Sequence, residues 1–269
     1  MRGGGRQVKS LRDLVAYYNT ECDRDSNYAV IEYLLEHVRE LNALSMGDVA
    51  RHAYVSKSTV SRLIRRFGFE SYNDFLENAE RYVAQDFTVT LQVTPQEQRL
   101  LKDRPQAYLD AYLDEVCASL LQLKETVDVA EVDQIIELAR LRTTAIFATD
   151  KPLTLARDLQ RGFLAQGRLI HVGETKRKRQ QIALGLSEGD FALVLTNYGR
   201  YVEGNRAMFE DLRRRGIETW LITLEYDGPN TLLFDHVTRL SKNTHTAADT
   251  YPMRAFVEFL IRRLLVAAP

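Results

Sequence analysis

Between Leu44 and Tyr72 the chain reads Leu-Ser-Met-Gly-Asp-Val-Ala-Arg-His-Ala-Tyr-Val-Ser-Lys-Ser-Thr-Val-Ser-Arg-Leu-Ile-Arg-Arg-Phe-Gly-Phe-Glu-Ser-Tyr. Two short amphipathic helices can be drawn here, each with its own cap. Ser45 precedes Asp48 at capping-box spacing, with Asp in place of the usual Glu. Ser56 can accept from the backbone N–H of Ser58 or Thr59 and so open the second helix. Ala53-Tyr54-Val55 leaves room for only a tight turn between them. Met46, Val49, Ala50 and Ala53 share one side of the first helix. Val60, Leu63, Ile64 and Phe67 follow the i, i+3, i+4, i+7 rule in the second. Gly68 suits the C-terminal position that needs positive φ. This is the pattern of a helix-turn-helix, whose second helix enters the DNA major groove.

Charge decides which face of the second helix meets what. At roughly 100° per residue, Ser58, Arg62 and Arg65 point away from the apolar stripe, with Thr59 and Arg66 beside them. No acidic residue occurs from Val49 to Phe69, whereas Arg51, Lys57, Arg62, Arg65 and Arg66 are basic. Arginine pairs bidentately with guanine edges, and serine or threonine bonds to bases or phosphates. Residues near the start of a recognition helix reach the bases. Ser58, Thr59 and Arg62 are therefore assigned to base reading, and Lys57, Arg65, Arg66 and Arg51 to phosphates. Ser56 and Ser61 complete the duplex-facing set. The bland alternative is a solvated basic face on an ordinary helical pair. Paired caps, a tight turn, a small-residue start and one-sided charge coincide here and favour DNA.

The net charge of the chain is −1, so affinity for nucleic acid must come from a local patch. With 269 residues, 45% of them hydrophobic, the chain can fill two cores. Cys22 and Cys117 have no CxxC partner, which supports neither a disulfide framework nor a zinc site and suits a reducing cytoplasm. No apolar run approaches the ~18 residues of a membrane span, so no membrane partner is expected. The first residues, Met1-Arg-Gly-Gly-Gly-Arg, are too polar for a signal peptide.

Periodicity divides the chain. Residues 1–86 read as an all-α bundle of about five helices: Leu11 to Tyr18, Ala29 to Leu41, the two capped helices within 45–68, and a last one from a Ser71 cap to about Val83. Phe87 to Pro95 is rich in Thr and Val and breaks the pattern, so 87–104 is expected to be a linker. Pro105 to Thr126 and Val129 to Leu141 are helical, the first opened by Pro105 and the second capped by Asp128. Short apolar runs then appear at Thr144–Ala148, Arg168–Val172, Phe191–Leu195, Thr219–Thr223 and His236–Leu240. Helical stretches alternate with them: Leu153–Ala165, Lys178–Leu186, Val202–Arg215 and, more weakly, Asn230–Phe234. Residues 105–269 thus read as a three-layer α/β domain with a five-stranded parallel sheet. A final helix from about Ala247 to Val266 carries Tyr251, Ala255, Val257, Phe259, Leu260, Leu264 and Leu265. That is more apolar surface than one side of a small domain needs, which points to a partner subunit.

A helical head ahead of such a domain resembles the RpiR (MurR/RpiR) family of bacterial transcription regulators. Val55 to Phe69, with its closing Phe-Gly-Phe and the following Tyr72, is similar to that family's recognition-helix pattern. The C-terminal half resembles the family's SIS (sugar isomerase) domain. The resemblance runs from about Asn27 to the end and is more specific in the first half. It implies a repressor, a homodimer or homotetramer, and a double-stranded DNA operator read as a palindrome. It also implies a small-molecule effector of the phosphosugar kind in the SIS domain, and no cofactor.

The chain departs from the family where that effector would sit. The family's first loop is Gly-x-Gly-x-Ser, whose N–H groups cradle phosphate. Here it reads Ala148-Thr-Asp-Lys-Pro-Leu-Thr-Leu, with no glycine and with Asp150 adding negative charge beside Thr149 and Lys151. The second loop, Ser-x-Ser-Gly-x-Thr in the family, is Thr196-Asn197-Tyr198-Gly199-Arg200-Tyr201. Gly199 and the Thr196 hydroxyl survive. Tyr198 and Tyr201 replace small residues and would crowd a sugar-sized cavity. Three readings stand: a site that has become a dimerisation scaffold, a different ligand held by Lys151, Arg200 and the tyrosines, or a phosphosugar held by other residues.

Lys176-Arg-Lys-Arg179 is a dense basic run that could meet the phosphates of a ligand or of DNA, with a solvated helix start as the plainer reading. His37, His52, His171, His236 and His245 show no metal spacing. His52 could touch a phosphate, and His245 precedes the last helix near the region that closes SIS sites. There is no G-x-S-x-G elbow, P-loop or dinucleotide fingerprint. The competing class is an SIS-type phosphosugar-binding protein or isomerase, which needs an intact sugar site with a poised carboxylate or histidine. Both altered loops weigh against an enzyme.

Overall fold

The computed structural model is described over residues 11–20, 25–91, 93–148, 150–224, 228–242 and 250–266, without the side chains at 12, 82–91, 150 and 229. Thr149, Cys22, His245 and the expected helix start at Ala247 lie outside these residues. The chain divides into two compact units, Met1–Pro95 and Gln96–Pro269.

The first unit is helical. It comprises α1 (Leu11–Thr20), α2 (Ser26–Glu36), a 3-10 turn (Leu41–Ala43), α3 (Met46–His52), α4 (Lys57–Arg66) and α5 (Tyr72–Leu91). Its core draws on every helix, with Leu14, Ile31, Leu34, Val49, Val60, Leu63, Ile64, Phe69 and Phe75 buried. Tyr72 closes the bundle by donating its hydroxyl to the Leu44 carbonyl at 3.0 Å.

The expected linker 87–104 is mostly helix. α5 continues to Leu91, and α6 spans Pro95–Asp103 with Pro95 as its first residue. Thr88, Val89 and Thr90 were the reason for expecting a break. β-branching costs a helix only about 0.5 kcal/mol per residue, too little to stop one already nucleated at the Ser71 cap. The Ser71 hydroxyl accepts from the Asp74 N–H at 3.1 Å.

In the second unit α7 (Pro105–Thr126) and α8 (Val129–Leu141) precede the sheet. The strands are β1 (Thr144–Ala148), β2 (His171–Val172), β3 (Phe191–Thr196), β4 (Glu218–Thr223) and β5 (His236–Arg239). They are interleaved with α9 (Asp150–Ala165), α10 (Lys176–Gly185), α11 (Arg200–Gly204), α12 (Arg206–Arg214) and a 3-10 turn (Pro229–Leu233), and α13 (Tyr251–Val266) follows. All strand pairs are parallel, in the order β2-β1-β3-β4-β5. The stretch expected as one helix from Val202 to Arg215 is broken at Asn205, whose side-chain amide bonds to the Tyr201 carbonyl at 2.8 Å.

Strand alternation sorts side chains to the two faces. Ile146, Leu193, Leu195, Trp220 and Ile222 pack with α8, α9 and α13. Ala145, Phe147, Ala192, Val194 and Leu221 pack with residues of α10, α11 and α12 on the other. The helices that follow β1 and β3 therefore leave toward opposite faces. The carboxyl ends of those neighbouring strands form a topological switch point, where open α/β sheets bind ligands.

Only part of the stripe expected on α13 faces the core. Pro252, Met253, Phe256, Val257, Leu260 and Leu264 are buried, whereas Tyr251, Phe259 and Leu265 are exposed. On α7, Leu109, Leu113 and Leu121 are exposed as well, one or two turns apart on one side.

Candidate functional site

The two helices of the turn motif begin where the hydroxyls place them. Ser45 accepts from the Asp48 N–H at 3.2 Å, and Asp48 accepts from the Ser45 N–H at 3.0 Å, so the capping box forms with Asp. The Ser45 hydroxyl, which donates to the Asp48 carboxylate at 2.5 Å, and after it the Ser45 N–H hold the Asp48 carboxyl below the usual carboxylate range. Asp48 also pairs with Arg51. The Ser56 hydroxyl accepts from the Thr59 N–H at 3.1 Å and lies 2.6 Å from the Ser58 hydroxyl and 3.0 Å from that of Thr59. Three hydroxyls thus cluster on the first turn of α4.

Val60, Leu63 and Ile64 anchor α4 in the bundle. Its opposite face is open: Ser56, Lys57, Ser58, Arg62, Arg65 and Arg66 are exposed, and Thr59 and Ser61 are half-buried at the flank. Gly47 lies opposite, and a Cβ there would come within 2.9 Å of the end of the flexible Lys57 side chain, which would have to swing aside. Arg66 differs from the others. Its guanidinium lies over the Tyr17 ring, 5.8 Å from the centroid, and its charge helps hold Asp25 low after the hydrogen bonds Asp25 accepts. His52 is stacked on Tyr33 with ring centroids 4.6 Å apart, a surface packing role.

Sequence reasoning did not single out Tyr54, which lies in the turn itself. It has φ 54° and is 96% exposed. Its N–H bonds to the Arg51 carbonyl at 3.2 Å, and the Val55 N–H bonds to Ala50 at 2.9 Å. That pair of bonds is a Schellman ending, with Tyr54 in the left-handed position that usually holds glycine. α4 ends in the same way on Gly68, with φ 89°.

In the second unit the β3–α11 loop is folded on itself. Thr196 is buried and donates its hydroxyl to the Tyr198 carbonyl at 2.6 Å. The Asn197 carbonyl accepts from the Leu224 N–H and the Thr223 hydroxyl, both at 3.3 Å. The two tyrosines do not share a cavity, contrary to expectation. Tyr198 packs against the cluster of α8, α9 and α13, and Tyr201 against that of α10 and α12, edge-on to Phe209 at 5.9 Å. The chain crosses the sheet edge between them. Among the described residues the buried Tyr201 hydroxyl has no hydrogen-bond partner, and burial pushes its pKa up to about 12. Gly199 is buried in ordinary helical conformation, with φ −59°. Arg200 is exposed and Lys151 half-buried. Among the described residues there is no cluster of His, Cys, Asp and Glu that could hold a metal, and no helix is long and apolar enough to cross a membrane.

An exposed basic recognition helix, two capped starts and a parallel five-stranded domain define a helix-turn-helix DNA-binding regulator with an SIS-type domain. Residues 21–86 match the family described as "Helix-turn-helix domain, rpiR family". The chain is 24% identical over 212 residues to the HTH-type transcriptional regulator RpiR of Escherichia coli strain K12, covering 77% of this chain and 69% of that one. It is 23% identical over 172 residues to the regulator HexR of Pseudomonas aeruginosa, covering 64% and 59%. The fold is similar to that of the Vibrio vulnificus NanR protein complexed with ManNAc-6P, with a TM-score of 0.52, 18% identity and coverage of 96% and 92%. It also resembles the sugar isomerase domain of an RpiR transcription factor from Sphaerobacter thermophilus, with a TM-score of 0.50, 17% identity and coverage of 60% and 91%. Residues 21–86 thus carry an rpiR-type helix-turn-helix domain, and the chain is similar to RpiR-type transcription regulators over most of its length.

Proposed function

We propose that this chain is a cytoplasmic, homo-oligomeric repressor that reads an operator through α4 and has no enzyme activity. The observation that carries the reading is the open face of α4: Ser58 and Arg62 are exposed at its start while Val60, Leu63 and Ile64 hold it in the bundle. Ser58, Thr59 and Arg62 read bases. Ser56, Lys57, Ser61, Arg65, Arg66 and Arg51 contact or support the phosphate backbone. Residues 1–86 serve as the DNA-binding head and 105–269 as the effector and oligomerisation domain. The exposed apolar residues of α7 and α13 support pairing with a second copy.

The effector is a small anion. One structural neighbour is a complex with ManNAc-6P, but here the loop after β1 has no glycine and Thr196 spends its hydroxyl inside its own loop. Ordinary phosphosugar recognition through Thr149, Asp150, Lys151 and residues 196–201 is therefore weak. Calorimetry with a panel of sugar phosphates tests this, and a micromolar binder would overturn it.

The direct test is selection of bound sequences from a random duplex pool. A recovered motif with two half-sites supports a symmetric reader, and recovery of no motif refutes it. Arg62→Ala is expected to weaken the selected site by about 1–3 kcal/mol and to relax preference at one position. Unchanged binding would remove the assignment.

A further inference from the structure

A second concentration of cations stands at the carboxyl edge of the sheet. β2 leads through Gly173-Glu-Thr into α10, whose first four residues are Lys176, Arg177, Lys178 and Arg179. No acidic residue occurs from Thr175 to Ser187. Glu174, just before, is taken by Arg157 of α9, whose Nε lies 2.6 Å from it.

The turn is built to a fixed shape. Thr175 accepts from the Lys178 N–H at 3.1 Å. Arg179 folds inward, donating to the Gly173 carbonyl at 3.1 Å and that of Glu174 at 3.2 Å. A Cβ on Gly173 would come within 2.8 Å of Arg179 atoms, its backbone N included, so only glycine admits this turn. The Arg179 guanidinium lies 6.0 Å from the Tyr201 ring centroid, which brings the run beside the start of α11.

Lys176, Arg177 and Lys178 are exposed and meet no carboxylate among the described residues, and neither does Arg200 next to Tyr201. Cations in a first helical turn oppose the helix macrodipole, and like charges one residue apart repel. A stiff turn that presents such charges without counter-charge is poor design for stability alone. It suits a ligand that brings the missing negative charge.

We propose that Lys176, Arg177, Lys178 and Arg200 form a side-chain anion site for a small molecule with at least two phosphate-like groups. This rests on the reading of the second unit as an effector domain. The patch adjoins the switch point between β1 and β3, where a small ligand fits. The β1 loop offers no glycine nest and carries Asp150, so the anion is held by side-chain charge from the β2–α10 turn. Four cations on two elements match a multiply charged ligand better than a single phosphate.

The probe is inorganic tripolyphosphate, titrated into the full chain by calorimetry at fixed ionic strength, with orthophosphate alongside. Tripolyphosphate is expected to bind about tenfold or more tightly than orthophosphate, because each exposed charge pair adds a modest increment. The combined variant Lys176→Gln, Arg177→Gln, Lys178→Gln should lose about tenfold of that affinity, and Arg200→Gln a smaller part. The variant Arg62→Ala, Arg65→Ala should keep it, which separates this site from α4. Equal binding of the two probes overturns the proposal, as does a triple variant that binds like the parent. A triple variant that lowers the salt slope of duplex binding also overturns it, since the run would then be a DNA contact. Duplex binding is measured without the probe. Its failure counts against the regulator reading, while failure of tripolyphosphate binding counts against this site alone.

Discussion

Tyr54 allows a sharp test of the backbone in the turn. Four helices among the described residues end with the same pair of bonds and a left-handed residue: α3 on Tyr54, α4 on Gly68, α9 on Gly167 and α12 on Gly216. Three use glycine, with φ 89°, 74° and 71°, and Tyr54 alone has a side chain at φ 54°. The left-handed region costs an L-residue about 1–2 kcal/mol. Glycine loses more chain freedom on folding, about 0.5–1 kcal/mol. Because Tyr54 is 96% exposed, removing its ring forfeits almost no burial. Tyr54→Gly should therefore stabilise the helical unit by about 0.5–1 kcal/mol. Tyr54→Ala keeps the strained Cβ and should stay within about 0.5 kcal/mol of the parent. Urea unfolding followed by far-ultraviolet circular dichroism reports the helices of both units, so the helical unit is the part of that signal that moves independently of tryptophan emission. The only tryptophan, Trp220 on β4, reports the other unit by fluorescence and should not move. If Tyr54→Gly is no more stable than Tyr54→Ala, the Cβ is not strained and the reasoning fails.

Arg66→Ala should weaken binding to all duplexes alike and lower the salt slope by about one, and it should also cost about 0.5–1 kcal/mol of stability from the lost contact with Tyr17. Salt titrations and urea unfolding check the two parts separately. Tyr201→Phe removes a buried hydroxyl that has no partner among the described residues and should stabilise the second unit by about 1 kcal/mol, read from Trp220 emission. A loss of stability there would show that the hydroxyl is bonded. Asp25 and Asp48 are held below the ordinary carboxylate value of 3.8, first by the Tyr28 N–H and by the Ser45 side chain respectively. Groups whose folded pKa is depressed contribute stability above the unfolded pKa and lose it as pH falls through the folded one. The helical unit should therefore weaken as pH drops below about 4, and Asp48→Asn should flatten that limb in an acid titration.

Local signals made most of the architecture legible. Ser45, Ser56, Ser71 and Asp128 cap where their side-chain chemistry placed them, and β1 spans the expected residues. What stayed hidden depends on contacts across the chain. Thr88, Val89 and Thr90 read as a break because propensity sees residues one at a time, whereas α5 was already propagating through them. Tyr198 and Tyr201 lie three apart, one in the loop after β3 and one in the first turn of α11, and no periodicity tells which face of a sheet each will join. Arg66 reads as one more phosphate ligand until Tyr17 of α1 is seen beneath it. Tyr54 carried a signal that went unread: a short turn between two helices needs a left-handed residue, and no glycine was available for it.

The distribution of charge ties the two surfaces together. In the second unit Arg142, Arg157, Arg161, Arg206, Arg214, Arg215, Arg254 and Arg263 each meet a carboxylate. Against that background two basic runs, Lys57–Arg66 and Lys176–Arg179, lie in stretches without acidic residues, 49–69 and 175–187. With a net charge of −1 and a screening length of about 8 Å at physiological salt, the body of the protein cannot draw a duplex from a distance. Attraction must come from the few cations of α4 at close range. Sequence-independent affinity is then small, and under the proposed assignment of Ser58, Thr59 and Arg62 to base reading a larger share of operator binding falls to those three residues. Such a reader trades rapid capture for discrimination, so losing Arg62 should cost it proportionally more than it would a strongly basic protein with the same helix.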